Sequence, residues 1–263
     1  MAEDLEAAAS NGEGQPLLTS GPKFAEPGVS RPGMDVVEPT DEVFNAASHL
    51  VGALLSLLGT AVLIVKSSWE GKPWHIVAFS IYGICLIAVF LCSFLHHALH
   101  HKDLDRWFKL ADYLAIYTMI AGTFTPICLV LFPFSWVGWT FFGTIWVMAA
   151  VGITVNVIRM DSPMWLTTTI YVVMGWCGFF LAFPMYPVVG VKGLALLVSG
   201  GVCYTAGSYS FVTEKPVLVP GRFGGHEIWH LAVLSGAACH YALMFFFIQP
   251  EHAGAGHAAS SLA

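Results

Sequence analysis

"FGGHEIWHLAVLSGAACHYALMFFFI", residues 223–248, decides how the rest of the chain is read. Past His226, Glu227 and His230 the segment is almost wholly apolar for about 20 residues, enough for a helix to cross a hydrocarbon core about 30 Å thick. Working back from this run at 228–248, comparable runs occur at 46–65, 76–97, 111–132, 136–158, 165–183 and 188–211. The predicted fold is an all-α membrane protein, a seven-transmembrane helix bundle. Composition agrees, because 263 residues that are 56% hydrophobic and 11% charged hold more apolar side chain than a soluble domain of that length buries. The predicted loops are short and carry Pro, Gly or Trp, as in "EGKPW", "FPFSW", "MDSPMW" and "FPMYP". Tryptophans near span ends suit the interfacial belts of a bilayer.

Residues 1–40 are rich in Gly, Pro, Ser, Ala and Glu and poor in aromatics, the composition of a disordered acidic tail. The bundle is expected over 41–250 and a flexible end over 251–263. The net charge of -6 belongs largely to the tail, and nothing suggests a nucleic-acid partner. Cys85, Cys92, Cys128, Cys177, Cys203 and Cys239 all fall in apolar runs without paired spacing, as small core residues do. No basic stretch followed by a short apolar run opens the chain, so no cleavable signal peptide is expected. Seven spans put the termini on opposite sides. The loops after spans 2, 4 and 6 hold Lys102, Arg106, Lys109, Arg159, Lys215 and Arg222, against Lys66, Lys72 and Lys192 on the other side. The bias toward cytoplasmic Lys and Arg then places the N-terminus in the cytoplasm and the C-terminus outside.

That topology brings polar residues from remote segments to one depth. Span 2 ends in "LCSFLHHALHH", with Ser93 and His97 one turn apart; Asp112 lies about one turn into span 3; His226 and His230, again one turn apart, open span 7. Imidazole is a favoured zinc ligand, and three ligands leave a fourth tetrahedral position for water, as in catalytic sites. His97, His226 and His230 fit that pattern. Asp112 is the candidate to orient or deprotonate the water, and Ser93 to hold a ligand or donate to a developing oxyanion.

Plainer readings stand beside it. An HxxxH pair on a helix is more often packed or solvated than ligating. Asp112 suits a helix N-terminus or a partner such as Arg106 or Lys109, and Ser93 suits a back-bond to the carbonyl one turn earlier. In favour of function, ionisable groups within spans are rare and costly. His96 points about 100° away from His97 and is not expected to share its ion. His100 and His101 belong to a loop, and His252 and His257 to the C-terminal end. Glu42 and His49 read as a supporting pair or as interfacial caps. His240, about 15 Å deeper than His230, reads as an interhelical hydrogen-bonding residue.

"DEVFNAASHLVGALL", "SFLHH", "LADYLAIYTMIAGTFTPICL" and "HEIWHLAVLSGAACHY", in this order and at these spacings, resemble the hemolysin III and progestin/adipoQ receptor family over roughly residues 41–248. The family's Ser-x-x-x-His, early Asp and His-x-x-x-His fall on Ser93 and His97, on Asp112, and on His226 and His230. The resemblance implies that the three histidines bind zinc near the cytoplasmic face. It also implies that Pro126 in "GTFTP" kinks the third span. Two positions depart from the family pattern, His96 where Tyr is common and Tyr113 where bacterial members commonly have His. The long acidic tail looks like a eukaryotic-type addition.

The resemblance supports a zinc-dependent hydrolase of a ceramide-like lipid amide, with Asp112 as general base and substrate entering between helices. Its rivals are a seven-helix receptor with a structural zinc, and a membrane-perturbing hemolysin-like protein, although the spans lack the polar stripe that lines a pore. The expected partners are the bilayer, with the plasma membrane as its setting, and a lipid or hydrophobic small-molecule ligand. The sequence leaves the oligomeric state open.

Overall fold

The computed structural model describes residues 41–99, 104–159 and 162–254. The acidic tail over 1–40, the loop histidines His100 and His101, and the end from 255 onward with His257 lie outside the described residues. Among the described residues the architecture is all-helical, with one isolated bridge between Val219 and Phe223. Helix α1 spans Glu42–Trp69, α2 Pro73–Ala98, α3 Asp105–Pro126, α4 Trp136–Ile158, α5 Met164–Trp176, α6 Phe179–Thr213 and α7 Gly225–Leu243. Among the described residues six helical stretches are long and apolar enough to cross a membrane, with α5 and α6 forming one continuous stretch.

Helix starts follow local chemistry. Asp41 caps α1 by accepting from the Phe44 amide at 3.0 Å, and Ser135 caps α4 by accepting from Val137 at 3.2 Å. Pro73 opens α2, where its missing N–H costs nothing. At α7 the Glu227 carboxylate reaches back to the Gly224 amide at 2.7 Å, the reciprocal half of a capping box. Several serines and threonines inside the spans bond the carbonyl one turn earlier, as Ser56 does to Gly52 and Thr60 to Ser56, which pairs their hydroxyl protons within the helix.

The fifth and sixth predicted spans differ from their expected bounds. The loop expected at "FPMYP" is helical, with Pro184 and Pro187 inside α6, and the interruption falls at Gly190, whose φ of 60° and ψ of -171° break the helix. Proline's fixed φ is compatible with helix, whereas that φ is open at little cost to glycine alone. The chain reverses there. Trp176 Nε1 donates to Thr205 Oγ1 at 2.9 Å, although 29 residues of straight helix would hold them roughly 43 Å apart.

Helix α3 is the central element: 78% of its apolar window is buried inside the protein, against 22–50% for the other stretches. Beyond Pro126 it loosens into a π-helical turn, Ile127–Leu131, every residue of which is buried. A second π turn, Met244–Ile248, extends α7. On α1, by contrast, Leu54, Leu55, Leu57 and Leu58 point outward and exposed, which suits a surface that meets lipid. The six cysteines are free, with Cys85 and Cys128 in the core.

Candidate metal centre

The start of α1, the end of α2, the start of α3 and the start of α7 meet at one end of the bundle. Glu227 ties two of them together, because its Oε1 accepts from the Asp41 amide at 2.9 Å and from Asn45 Nδ2 at 3.2 Å. The carboxylate between the two histidines of the opening motif is thus a staple between α7 and α1, with three N–H donors around it.

Within this frame His97, His226 and His230 converge. His97 and His230 are 4% and 1% exposed. One ring nitrogen from each of the three lies within 4.8 Å of the others, so the group could hold a metal ion. Ring centroids are 5.1 Å apart for His97 and His226, 4.7 Å for His97 and His230, and 5.0 Å for His226 and His230. Two details bear on which ion fits. His97 Nδ1 lies 2.5 Å from Glu42 Oε2, and a carboxylate only accepts, so the proton sits on Nδ1 and the lone pair on Nε2. That Nε2 faces His226 Nε2 at 3.4 Å. Ligands about 2.0–2.1 Å from a tetrahedral zinc are about 3.3–3.4 Å from each other, so this pair has the spacing of one tetrahedral edge. Carboxylate support of a ligating imidazole is the usual outer layer of such a site.

Asp112, half-buried on α3, has the Ser93 hydroxyl within hydrogen-bonding reach and His97 beside it. Ser93 on α2 and Asp112 on α3 are thus neighbours across the two helices. His96 brings a correction. It stays out of the three-histidine group, as its helical phase requires, yet one of its nitrogens lies within 4.8 Å of ligand atoms of both His97 and Asp112.

The expectation for Glu42 and His49 also changes. They do not pair with each other: Glu42 bonds His97, while His49 packs on His230 with centroids 3.9 Å apart and edge-on to Phe90 at 5.1 Å. His49 is 3% exposed and neither of its ring nitrogens has a partner. The signal was present, since Glu42, Asn45 and His49 recur at helical spacing on one face of α1. His240 does bond between helices, with Nε2 3.1 Å from the Leu197 carbonyl on α6.

One turn deeper into the bundle, a cavity of about 90 Å³ lies between α2, α3, α5, α6 and α7. Val89, Ile116 and Val233 line its near end, each within a turn of Ser93, Asp112 and His230 respectively. Trp176, Phe179 and Val198 line its side and are also exposed on the outer surface, so the cavity reaches the face that meets lipid. No sequence signal located it, because its walls come from five helices and carry ordinary apolar residues.

Comparison with known proteins places this geometry. The profile of haemolysin-III related proteins matches residues 37–241. Hemolysin-3 of Bacillus cereus is 34% identical over 210 residues, covering 80% of this chain and 93% of the relative. The Hemolysin-3 homolog of Bacillus subtilis (strain 168) is 32% identical over 207 residues, covering 79% and 94%. The monocyte to macrophage differentiation factor of Homo sapiens is 27% identical over 217 residues, covering 78% and 83%.

Proposed function

Because this chain belongs to the haemolysin-III related family, with helices that make it an integral membrane protein in contact with the bilayer, we propose that His97, His226 and His230 hold a zinc ion that serves hydrolysis of a lipid amide. The observation that carries the reading is the 3.4 Å approach of two imidazole Nε2 atoms, one of them backed by a carboxylate, about a helical turn from a largely apolar cavity. We further read 164–189 and 191–213 as two spans joined at Gly190, which makes seven in all. The N-terminus lies in the cytoplasm, the C-terminus lies outside, and the plasma membrane is the setting.

Zinc in a site with three protein ligands acts as a Lewis acid toward a carbonyl and lowers the pKa of a water to about 7. The chain's own residues do the rest. Glu42 fixes the His97 tautomer and aims its Nε2 inward. His49 packs on the His230 ring and is itself backed by Phe90. The Asp112 carboxylate accepts the proton of the attacking water and returns it to the departing amine nitrogen, while Ser93 steadies that carboxylate. The cavity holds an apolar chain and keeps bulk water from the reacting carbonyl.

The test is metal content and turnover measured together. Purified protein should contain zinc and release fatty acid from a labelled ceramide, and Asp112→Asn should keep the zinc and lose the turnover. Zinc-loaded protein that turns over no lipid amide would favour a receptor in which the metal holds α2 and α7 together. Zinc-independent release of dye from liposomes would favour the lytic activity named in the Bacillus relatives.

A further inference from the structure

Helices α6 and α7 pack along a tight seam. A Cβ on Gly200 would lie 2.3 Å from His240 Nε2, one on Gly236 2.7 Å from the Tyr204 ring, and one on Gly207 2.5 Å from the Ala232 Cβ. These contacts advance along α6 as they retreat along α7, so the two helices are antiparallel and in register. Cys203 of α6 and Cys239 of α7 fall in the same register, and their thiols lie within hydrogen-bonding reach of each other. Both are free and half-buried. Their chain neighbours Val202 and Ala238 are exposed, which puts the pair at the outer edge of the seam, on the face that meets lipid.

Depth selects the chemistry open to this pair. Cys203 lies ten residues before the end of α6 at Thr213, and Cys239 fourteen after the start of α7 at Gly225, or about 15 and 21 Å of helix. In a hydrocarbon core about 30 Å thick, both thiols are near the middle. Attack by sulfur on a peroxide needs the thiolate, and a charge is costly at that depth. Transfer of a hydrogen atom needs no charge. We propose that Cys203 and Cys239 form a modification site, an interhelical disulfide made by lipid peroxyl radicals within the bilayer. Each of two peroxyl radicals takes one hydrogen atom from a thiol and becomes a lipid hydroperoxide. The two sulfurs, each left with one unpaired electron, share them in the new S–S bond. Two S–H bonds break, while two O–H bonds and one S–S bond form, so each thiol is oxidised and each radical reduced by one electron. The disulfide staples α7, which carries His226 and His230, to α6. The inference depends on the membrane spans alone, and neither on a metal nor on hydrolysis.

The full chain in liposomes of polyunsaturated phosphatidylcholine, exposed under air to a lipophilic azo initiator, provides the test. Intact mass should fall by two hydrogen atoms, and digestion should release one peptide pair joined between Cys203 and Cys239 and separable by reductant. Cys203→Ser and Cys239→Ser should each lose the cross-link. Oxidised wild type should melt above the reduced protein, because the closed loop constrains the unfolded chain, and neither variant should show that shift. Hydrogen peroxide added to the surrounding water should leave the pair reduced. Free thiols at both positions after the lipid has peroxidised, sulfonic acids there in place of the cross-link, or a cross-link through another cysteine would each overturn the inference. So would a disulfide that hydrogen peroxide forms as readily as the lipid radicals do.

Discussion

The two ends of the bundle are both polar, and they are built on opposite terms. At the end away from the histidines, the α1–α2 turn and the end of α7 form a clasp. Lys66 Nζ donates to Gln249 Oε1 at 2.6 Å, Lys72 Nζ to the Gln249 carbonyl at 2.8 Å, and Gln249 Nε2 to Glu70 Oε2 at 3.1 Å. Lys72 also pairs with Glu70 at 2.7 Å. Here nearly every group answers another, His75 Nδ1 being the exception. At the histidine end, both nitrogens of His49, the Nδ1 of His230 and the Oδ1 of Asn45 are buried without partners, and two imidazole nitrogens face each other. A satisfied network fixes structure, whereas buried groups left short of partners mark a place where something else binds.

The sharpest way to break this contrast is to remove ligands at one end only. His226→Ala or His230→Ala should abolish zinc in elemental analysis and all turnover with it, while Gln249→Ala at the clasp keeps the metal. Equal zinc in all three proteins would end the contrast. Next in size, Asp112→Asn should lower turnover by about 10²–10⁴-fold with zinc unchanged, as loss of a general base does. Glu42→Gln should then weaken zinc binding by about 10–100-fold, read by competition with a chelator, since it removes the support behind His97 without removing a ligand.

At the clasp the effects are on stability. Gln249 is wholly buried and bonds both Lys66 and Glu70, so Gln249→Ala removes those two hydrogen bonds and should cost about 1–3 kcal/mol, seen as a lower Tm. The smallest effect is one of pH. The hydrogen bond from Lys72, aided by Lys66 and Gln249, holds the exposed Glu70 carboxyl at about 2, down from its usual 4.5. A depressed carboxyl stabilises the fold above its unfolded pKa and loses that contribution as pH falls through the folded one. The Tm advantage of wild type over Glu70→Gln should therefore be full above about pH 4.5 and vanish by about pH 2. An advantage that survives below that range would show that the clasp does not depend on this charge.

The sequence by itself determined most of the architecture. Apolar runs of bilayer length located the helices, because no other backbone arrangement of one chain satisfies its own hydrogen bonds across lipid except a closed barrel. One-turn spacing and alternating direction also pointed to His97, His226, His230, Ser93 and Asp112 at one depth, and of these the structure brings the three histidines within reach of one another. Tertiary structure decided what periodicity along one helix cannot express. That Glu42 meets His97 while His49 lies on His230, and that His96 finds Asp112, depends on how the rotations of separate helices combine. The reversal at Gly190 rather than at the neighbouring prolines was settled by a backbone angle and by packing between residues 29 positions apart. The cavity and the meeting of Cys203 with Cys239 arise only between helices, which no single segment of the chain encodes.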